Sequence, residues 1–177
     1  KPLEMAGVPL YLNMINSYED VLKSVDDFGR MAGKEKEAAA KRAQIEKDYA
    51  ELTQDVQKGK GPKVLIIFGS PDSFNMSTKL SFSGDLVKRL GGVNIADKAE
   101  NVNDSSFIPL SMEFVAKENP DVVLLITMGG SKEILEKLRS NMRDNAIWHD
   151  VNAVKNNRVY QLPPSLFTVN PGTHTIE

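Results

Sequence analysis

The chain has 177 residues, 22 of them basic and 24 acidic, a formal charge of −2, and 41% hydrophobic content. That balance supplies a core for one domain, or for one lobe with an appendage, and offers no basic face to nucleic-acid phosphates. No run approaches the roughly 18 apolar residues that a bilayer requires, and the absence of cysteine excludes a disulfide framework and a thiolate metal site.

Residues 1–7 read as the end of a helix, and residues 8–12 (Val-Pro-Leu-Tyr-Leu) as a short apolar strand after a glycine turn. Ser17 is placed as an N-cap with Asp20 three positions on, opening a helix whose buried face carries Val21, Val25 and Phe28. Gly33 interrupts or kinks it. From Lys34 to about Lys58 the composition is Ala, Lys, Glu and Gln, all good helix formers, with Ile45, Tyr49, Leu52 and Val56 on one stripe. This predicts a long, largely exposed helix ended by Gly59-Lys60-Gly61-Pro62.

The remainder alternates between strand and helix. Residues 64–68, 122–126 and 158–162 read as strands, the first two too uniformly apolar to be half exposed. Helices are predicted over 83–90, closed by Gly91-Gly92, from a Ser111 cap to before Pro120, and from a Ser131 cap to about Met142. Short connections between such units predict an α/β fold with a mainly parallel sheet covered by helices.

Ligands of open α/β sheets bind beyond the carboxyl ends of the strands. That rule selects three loops, residues 69–78, 128–131 and 163–170. Gly129-Gly130-Ser131 also suits an anion at a helix N-terminus, although it is too short for a Walker motif and lacks the GxGxxG pattern. No serine sits in a nucleophile elbow, and no His/Asp/Glu cluster has metal-ligand spacing. An α/β enzyme domain that binds a nucleotide or cofactor through residues 129–131 is the alternative reading. A second rival is an interaction module using the 34–58 helix as a coiled-coil arm, whose apolar seam of about three turns is short for that purpose.

Several phrases occur in order: Ser83-Gly84-Asp85-Leu86, then Gly91-Gly92-Val93-Asn94-Ile95, Asn119-Pro120-Asp121 and Ala153-Val154-Lys155-Asn156. Together they resemble the metal-chelate class of ABC-transporter substrate-binding proteins, in which two Rossmann-like lobes are joined by one long helix. The resemblance implies three parts here. Residues 1–16 are the end of an N-terminal lobe, 17–61 the long connecting helix, and 62–177 a C-terminal α/β lobe truncated at its last helix. A lipobox cysteine and a second lobe are expected upstream of Lys1.

Within that class the loop Gly69-Ser70-Pro71-Asp72-Ser73-Phe74-Asn75-Met76 is similar to that of haem-binding lipoproteins of Gram-positive cell surfaces, as is Asn145-Ala146-Ile147-Trp148 leading to Arg158-Val159-Tyr160. The implied role is capture of an iron complex between two lobes, haem first and ferric siderophore next, and delivery to a membrane permease. The implied location is an extracytoplasmic, membrane-anchored lipoprotein on a Gram-positive surface, or the periplasm. The resemblance implies no catalysis; oligomeric state is left open.

Phe74, Asn75, Met76, Phe107, Met128, Gly129, Phe167 and Asn170 are the expected ligand contacts, with Ser77 a further polar candidate. Taken singly, each aromatic or methionine reads as cover for the core edge; taken as a group, the loops read as a site. In the resembled proteins a histidine after the second strand ligates the iron. Met128 stands at or near its place, a departure, since a thioether binds ferric iron less strongly than imidazole; it is the candidate iron ligand. Glu113 lies in the first turn of a capped helix, where it favours the helix dipole, and the resemblance makes it a permease-docking carboxylate. Trp148 reads as a packing anchor, His149 as a surface residue, and His174 as a less favoured haem candidate near the final loop.

Overall fold

The uninterrupted apolar runs at 64–68 and 122–126 can be satisfied only by strands covered on both faces, and that requirement organises the molecule. The computed structural model describes residues 2–56, 60–99, 104–167 and 173. Among these, the strands are β1 (Lys63–Gly69), β2 (Phe74–Ser77), β3 (Val93–Asn94), β4 (Phe107–Pro109), β5 (Val122–Thr127) and β6 (Val159–Gln161). The helices are α1 (Pro2–Met5), α2 (Tyr18–Ala32), α3 (Glu35–Thr53), α4 (Phe82–Arg89), α5 (Met112–Glu118), α6 (Lys132–Asp144), α7 (Ala146–Asp150), α8 (Asn152–Lys155) and α9 (Pro164–Phe167).

The strands form one sheet in the order β4-β2-β1-β5-β6, with β3 pairing the start of β1. β1 pairs in parallel with β3 and β5, and β5 in parallel with β6, whereas β2 is antiparallel to both β1 and β4. The expected α/β fold with a mainly parallel sheet is thus present, with an antiparallel β2–β4 extension that the sequence reading did not resolve.

Successive residues of β1 enter opposite faces. Leu65 and Ile67 join Met76, Val123, Leu125, Leu138 and Trp148 in the larger core, beneath α5 to α8. Val64, Ile66 and Phe68 join Val87 and Ile126 in the smaller one, beside α4 and α9. Trp148 is completely buried, as a packing anchor should be, yet its indole N–H has no acceptor among the described residues. His149 is exposed, its Nε2 2.9 Å from the Arg143 carbonyl oxygen.

One long helix over 17–58 is not what forms. Gly33 adopts a left-handed conformation (φ 64°), and the Lys34 N–H reaches back to the Gly29 carbonyl at 2.7 Å, a Schellman stop. The chain reverses, and α3 packs antiparallel on α2. Tyr18 stacks on Tyr49 with ring centroids 4.3 Å apart, Arg42 pairs with Asp26, and Gly29 lies so close to Ala38 that an added Cβ would approach its methyl to 2.3 Å. Small residues therefore set the crossing near the turn, and Tyr18, Leu22 and Ile45 form the hairpin's own core. The Ser17 cap forms as expected: its Oγ accepts from the Asp20 N–H at 3.2 Å and donates to the Asp20 carboxylate at 2.9 Å. Phe28, expected to be buried, is half exposed: the partner helix covers Tyr18 and Leu22 instead, and Phe28 meets only the Tyr11 ring, edge to face.

Residues 8–12 form no strand; no described strand runs beside them, and Leu12 is 86% exposed. The segment is tied to α2 by the Tyr11 hydroxyl, which donates to Asp27 at 2.5 Å. Lys23 and Arg30 also pair with Asp27, and these donors hold its carboxyl well below the usual carboxylate range.

The hairpin is fastened to the sheet layer through α4. Asp85 accepts from the Tyr18 N–H at 2.9 Å and from Arg89 Nε at 2.6 Å, and Arg89 lies over the rings of Tyr18 and Tyr49. Burial alone would pull the Arg89 pKa down; hydrogen bonds to Asp85, Tyr49 and Glu19 outweigh it and push it up.

Trp148 gives a direct check on this account. Trp148→Ala should cost about 3–5 kcal/mol in urea unfolding. Trp148→Phe, which keeps most of the volume and removes an unpaired donor, should cost less than half as much.

Candidate ligand-binding rim

Because β1 and β5 run in parallel and in register, Gly69 and Thr127 are paired and the strands end at a common rim. The described parts of the loops selected from sequence leave from the same end of the sheet. Residues 70–73 are a tight turn, closed by the Ser70 N–H donating to the Ser73 carbonyl at 2.9 Å, that returns the chain as β2. The Leu110 N–H donates to the Phe74 carbonyl at 3.1 Å, which brings the amino end of α5 to the same rim. Glu113, exposed in the first turn of α5, therefore faces outward beside the loops; Ser111 Oγ caps that turn by accepting from the Phe114 N–H at 3.3 Å.

The sheet divides the predicted contacts between its faces. Phe74 lies over Gly69, where an added Cβ would come within 2.8 Å of Ile134 and 3.3 Å of the Phe74 ring. Its ring is thus half committed to the larger core. Met76 is 2% exposed and sits wholly in that core, so its expected ligand contact is corrected: strand alternation turns it inward, as it turns Asn75 to the opposite face. Asn75 Nδ2 donates to Ser73 Oγ at 2.9 Å and braces the turn.

On the opposite face Phe107 is 43% exposed, its ring centroid 5.0 Å from that of Phe68. Phe68, Phe107 and Phe167 wall a cavity of about 100 Å³, completed by Ile15, Asn16, Ser77, Ser81, Phe82, Ser83, Ser106 and Ile126. Of these, Phe107, Phe167 and Ser77 were expected from sequence. Ser81, Ser83, Ser106 and Asn16 were not; the signal available was the hydroxyl density of residues 77–83 and 105–106.

Met128 is 44% exposed and lies in a separate cleft of about 300 Å³ with Pro71, Ser131, Glu133, Ile134 and Lys137. Gly129 is left-handed (φ 59°) with nothing near an added Cβ, so the turn projects from the rim. The anion reading of residues 129–131 loses donors to local structure. Ser131 Oγ caps α6 by accepting from the Ile134 N–H at 3.3 Å, and the Ser131 N–H donates to the Met128 carbonyl at 3.3 Å. Asn170 and His174 lie outside the described residues. Among the described residues, no group of three or more His, Cys, Asp or Glu side chains is arranged to hold a metal ion.

A family model described as periplasmic binding protein matches residues 7–166. The chain belongs to the periplasmic binding protein family. A family of binding proteins argues against the enzyme alternative. The chain is 32% identical over 163 residues to the high-affinity heme uptake system protein IsdE of Staphylococcus aureus strain MRSA252, covering 92% of this chain and 53% of that protein. It thus spans about half the length of the relatives it matches. Among solved structures, S. aureus IsdE complexed with heme superposes with a TM-score of 0.85 at 27% identity, over 98% of this chain and 66% of that one. An ABC transporter substrate-binding protein from Listeria monocytogenes EGD-e gives 0.83 at 26% identity, over 99% and 67%.

Proposed function

We propose that this chain is the C-terminal part of a substrate-binding component of an ABC importer, capturing an iron complex and presenting it to a membrane permease. In this reading residues 1–16 end the opposing lobe, the segment 17–61 connects the lobes as a helix hairpin rather than a single rod, and residues 62–177 supply one wall of the cleft. Haem is the favoured cargo and a ferric siderophore the second. The protein would act outside the cytoplasm as a surface lipoprotein, or in the periplasm.

The observation that carries the reading is the rim itself. Exposed Met128 follows β5 at the strand-end edge and the outward Glu113 opens α5 beside it, half-exposed Phe107 and Phe167 wall the cavity on one face of the same sheet, and the relatives named above include heme-uptake proteins. An apolar wall with a few polar groups suits a flat macrocycle. Met128, on a turn that its glycine neighbour pushes outward, is the candidate axial ligand, and a thioether there would favour ferrous over ferric iron. The mechanism is capture without chemistry, since no acid–base or nucleophilic constellation is needed to hold and release a cargo.

Adding haem to the full-length polypeptide should shift the Soret band, and Met128→Leu should remove the low-spin signature while leaving the fold intact. An unchanged spectrum in the Leu variant would withdraw the ligand role from Met128. Absence of any haem shift, with ferric siderophore binding intact, would transfer the reading to the second cargo.

Glu113 separates capture from delivery. Because Glu113 is exposed and lines neither the aromatic cavity nor the Met128 cleft, Glu113→Lys should leave cargo affinity within about twofold, as expected of a surface charge. It should still depress permease-coupled ATPase activity and uptake severely. Equal uptake by the variant would remove the docking role.

A further inference from the structure

We propose that the cavity at the amino end of α4 receives a carboxylate arm of the cargo, an inference that rests on the iron-complex reading above and names the chemical group this wall would hold. The cavity holds an unpartnered polar side chain. Ser77 is 0% exposed, yet its Oγ has no hydrogen-bond partner among the described residues. Strand alternation puts Ser77 on the face shared by Phe68 and its β4 partner Phe107, whose rings wall the cavity that Ser77 also lines. A buried hydroxyl left unpaired destabilises the empty protein, so a partner supplied by a ligand would be recovered as binding.

The second element is the first turn of α4, which Ser81, Phe82 and Ser83 bring to the same cavity. Its capping is incomplete. Ser81 Oγ accepts from the Gly84 N–H at 3.1 Å, the Ser81 carbonyl from the Asp85 N–H at 2.9 Å, and the Ser81 N–H donates to the Thr78 carbonyl at 3.0 Å. The N–H groups of Phe82 and Ser83 are left without an acceptor among the described residues. A helix start with two free amides and a buried hydroxyl beside them is a seat for an oxyanion.

Size and charge agree with that assignment. A cavity of about 100 Å³ has room for roughly three waters, or for a carboxylate on a two-carbon arm. The phenyl rings of Phe68, Phe107 and Phe167 take the apolar part. Among the described residues no acidic side chain lines the cavity, and the one on α4, Asp85, is already engaged by Arg89 and the Tyr18 N–H.

The probe is sodium propionate, titrated into the ¹⁵N-labelled chain and followed by amide NMR, with propionamide at matched ionic strength as the neutral control. Saturable shifts confined to Ser77, Phe82, Ser83 and Gly84 are expected, with a Kd of about 10 mM for so small a ligand and none for propionamide. Ser77→Ala should weaken propionate roughly three- to tenfold while raising the thermal midpoint, a combination that a merely structural serine would not give. Ser83→Ala, which leaves Ser77 and the backbone amides in place, should weaken it less. No saturable shift, or equal shifts with propionamide, overturns the proposal and leaves a water-filled cavity only. A second arm compares haem with haem dimethyl ester in the full-length polypeptide. Binding of haem at least tenfold tighter than the ester supports the carboxylate seat, and equal binding overturns it while the iron-complex reading stands. Binding of neither removes the iron-complex reading, and the propionate titration alone then decides for or against an anion seat.

Discussion

The parallel pairing of β1 with β5 is the interaction on which the rest of the structure depends. Six consecutive partners, from Val64 with Val122 to Gly69 with Thr127, lie between two helical layers, and Leu65, Ile66 and Ile67 are wholly removed from solvent. Each such side chain contributes about 1.5–3 kcal/mol through burial. A parallel pair cannot be closed by a hairpin, so the chain must cross over between the strands. Here β2, α4, β3, β4 and α5 all lie in that crossover. The register of one strand pair thus fixes both the covering layers and the rim where they end. A one-residue slip would exchange the faces of the whole β5 row and break both cores at once.

α4 carries two duties that are mechanically linked. Its outer turn holds the hairpin through Asp85 and Arg89, and its first turn walls the serine-lined cavity. The Asp85–Arg89 pair is only about one-fifth exposed, with side-chain values of 16% and 22%, and it is completed by a backbone donor and two aromatic rings. Such an arrangement holds its geometry better than an isolated surface ion pair. Gly84 adds a steric lock, because an added Cβ would come within 2.0 Å of the Thr78 carbonyl. A displacement of the hairpin relative to the sheet would therefore act on the cavity wall through α4.

How much of this was legible in the sequence follows from how each residue is buried. β1 and β5 declared themselves because both faces are covered, leaving uninterrupted apolar runs. β2 and β4 did not, although Phe74 and Met76 alternate with Asn75 and Ser77; four and three residues are too few for a period of two to stand out, and Pro109 argues against a strand. The helix break at Gly33 was visible, but a kink and a reversal share the same glycine. What distinguishes them is Gly29 against Ala38, a contact made only after the chain has turned. The strand-end rule pointed to one end of the sheet, and the division of its candidates between two faces was not visible, because that needs the register of β2. Met76 was misread for the same reason, and the serines of the cavity were passed over because polar residues in turns have local uses.

The two methionines flanking the sheet show what a rim position requires. Met76 is closed within the larger core, where a flexible thioether fills irregular space. Met128 follows a strand just as apolar, yet the left-handed Gly129 turns the chain before any helix can cover it, and 44% of its surface stays in water. Folding gains little from a large apolar side chain in that state, since the part left in solvent returns no transfer free energy. Ser77 presents the converse case, a polar group withdrawn from water without a partner among the described residues. Neither residue is placed where stability alone would place it, and they stand at opposite faces of one rim. Such a pair, an apolar side chain left in water and a hydroxyl taken out of it, marks the rim as the part of the sheet that packing alone does not account for.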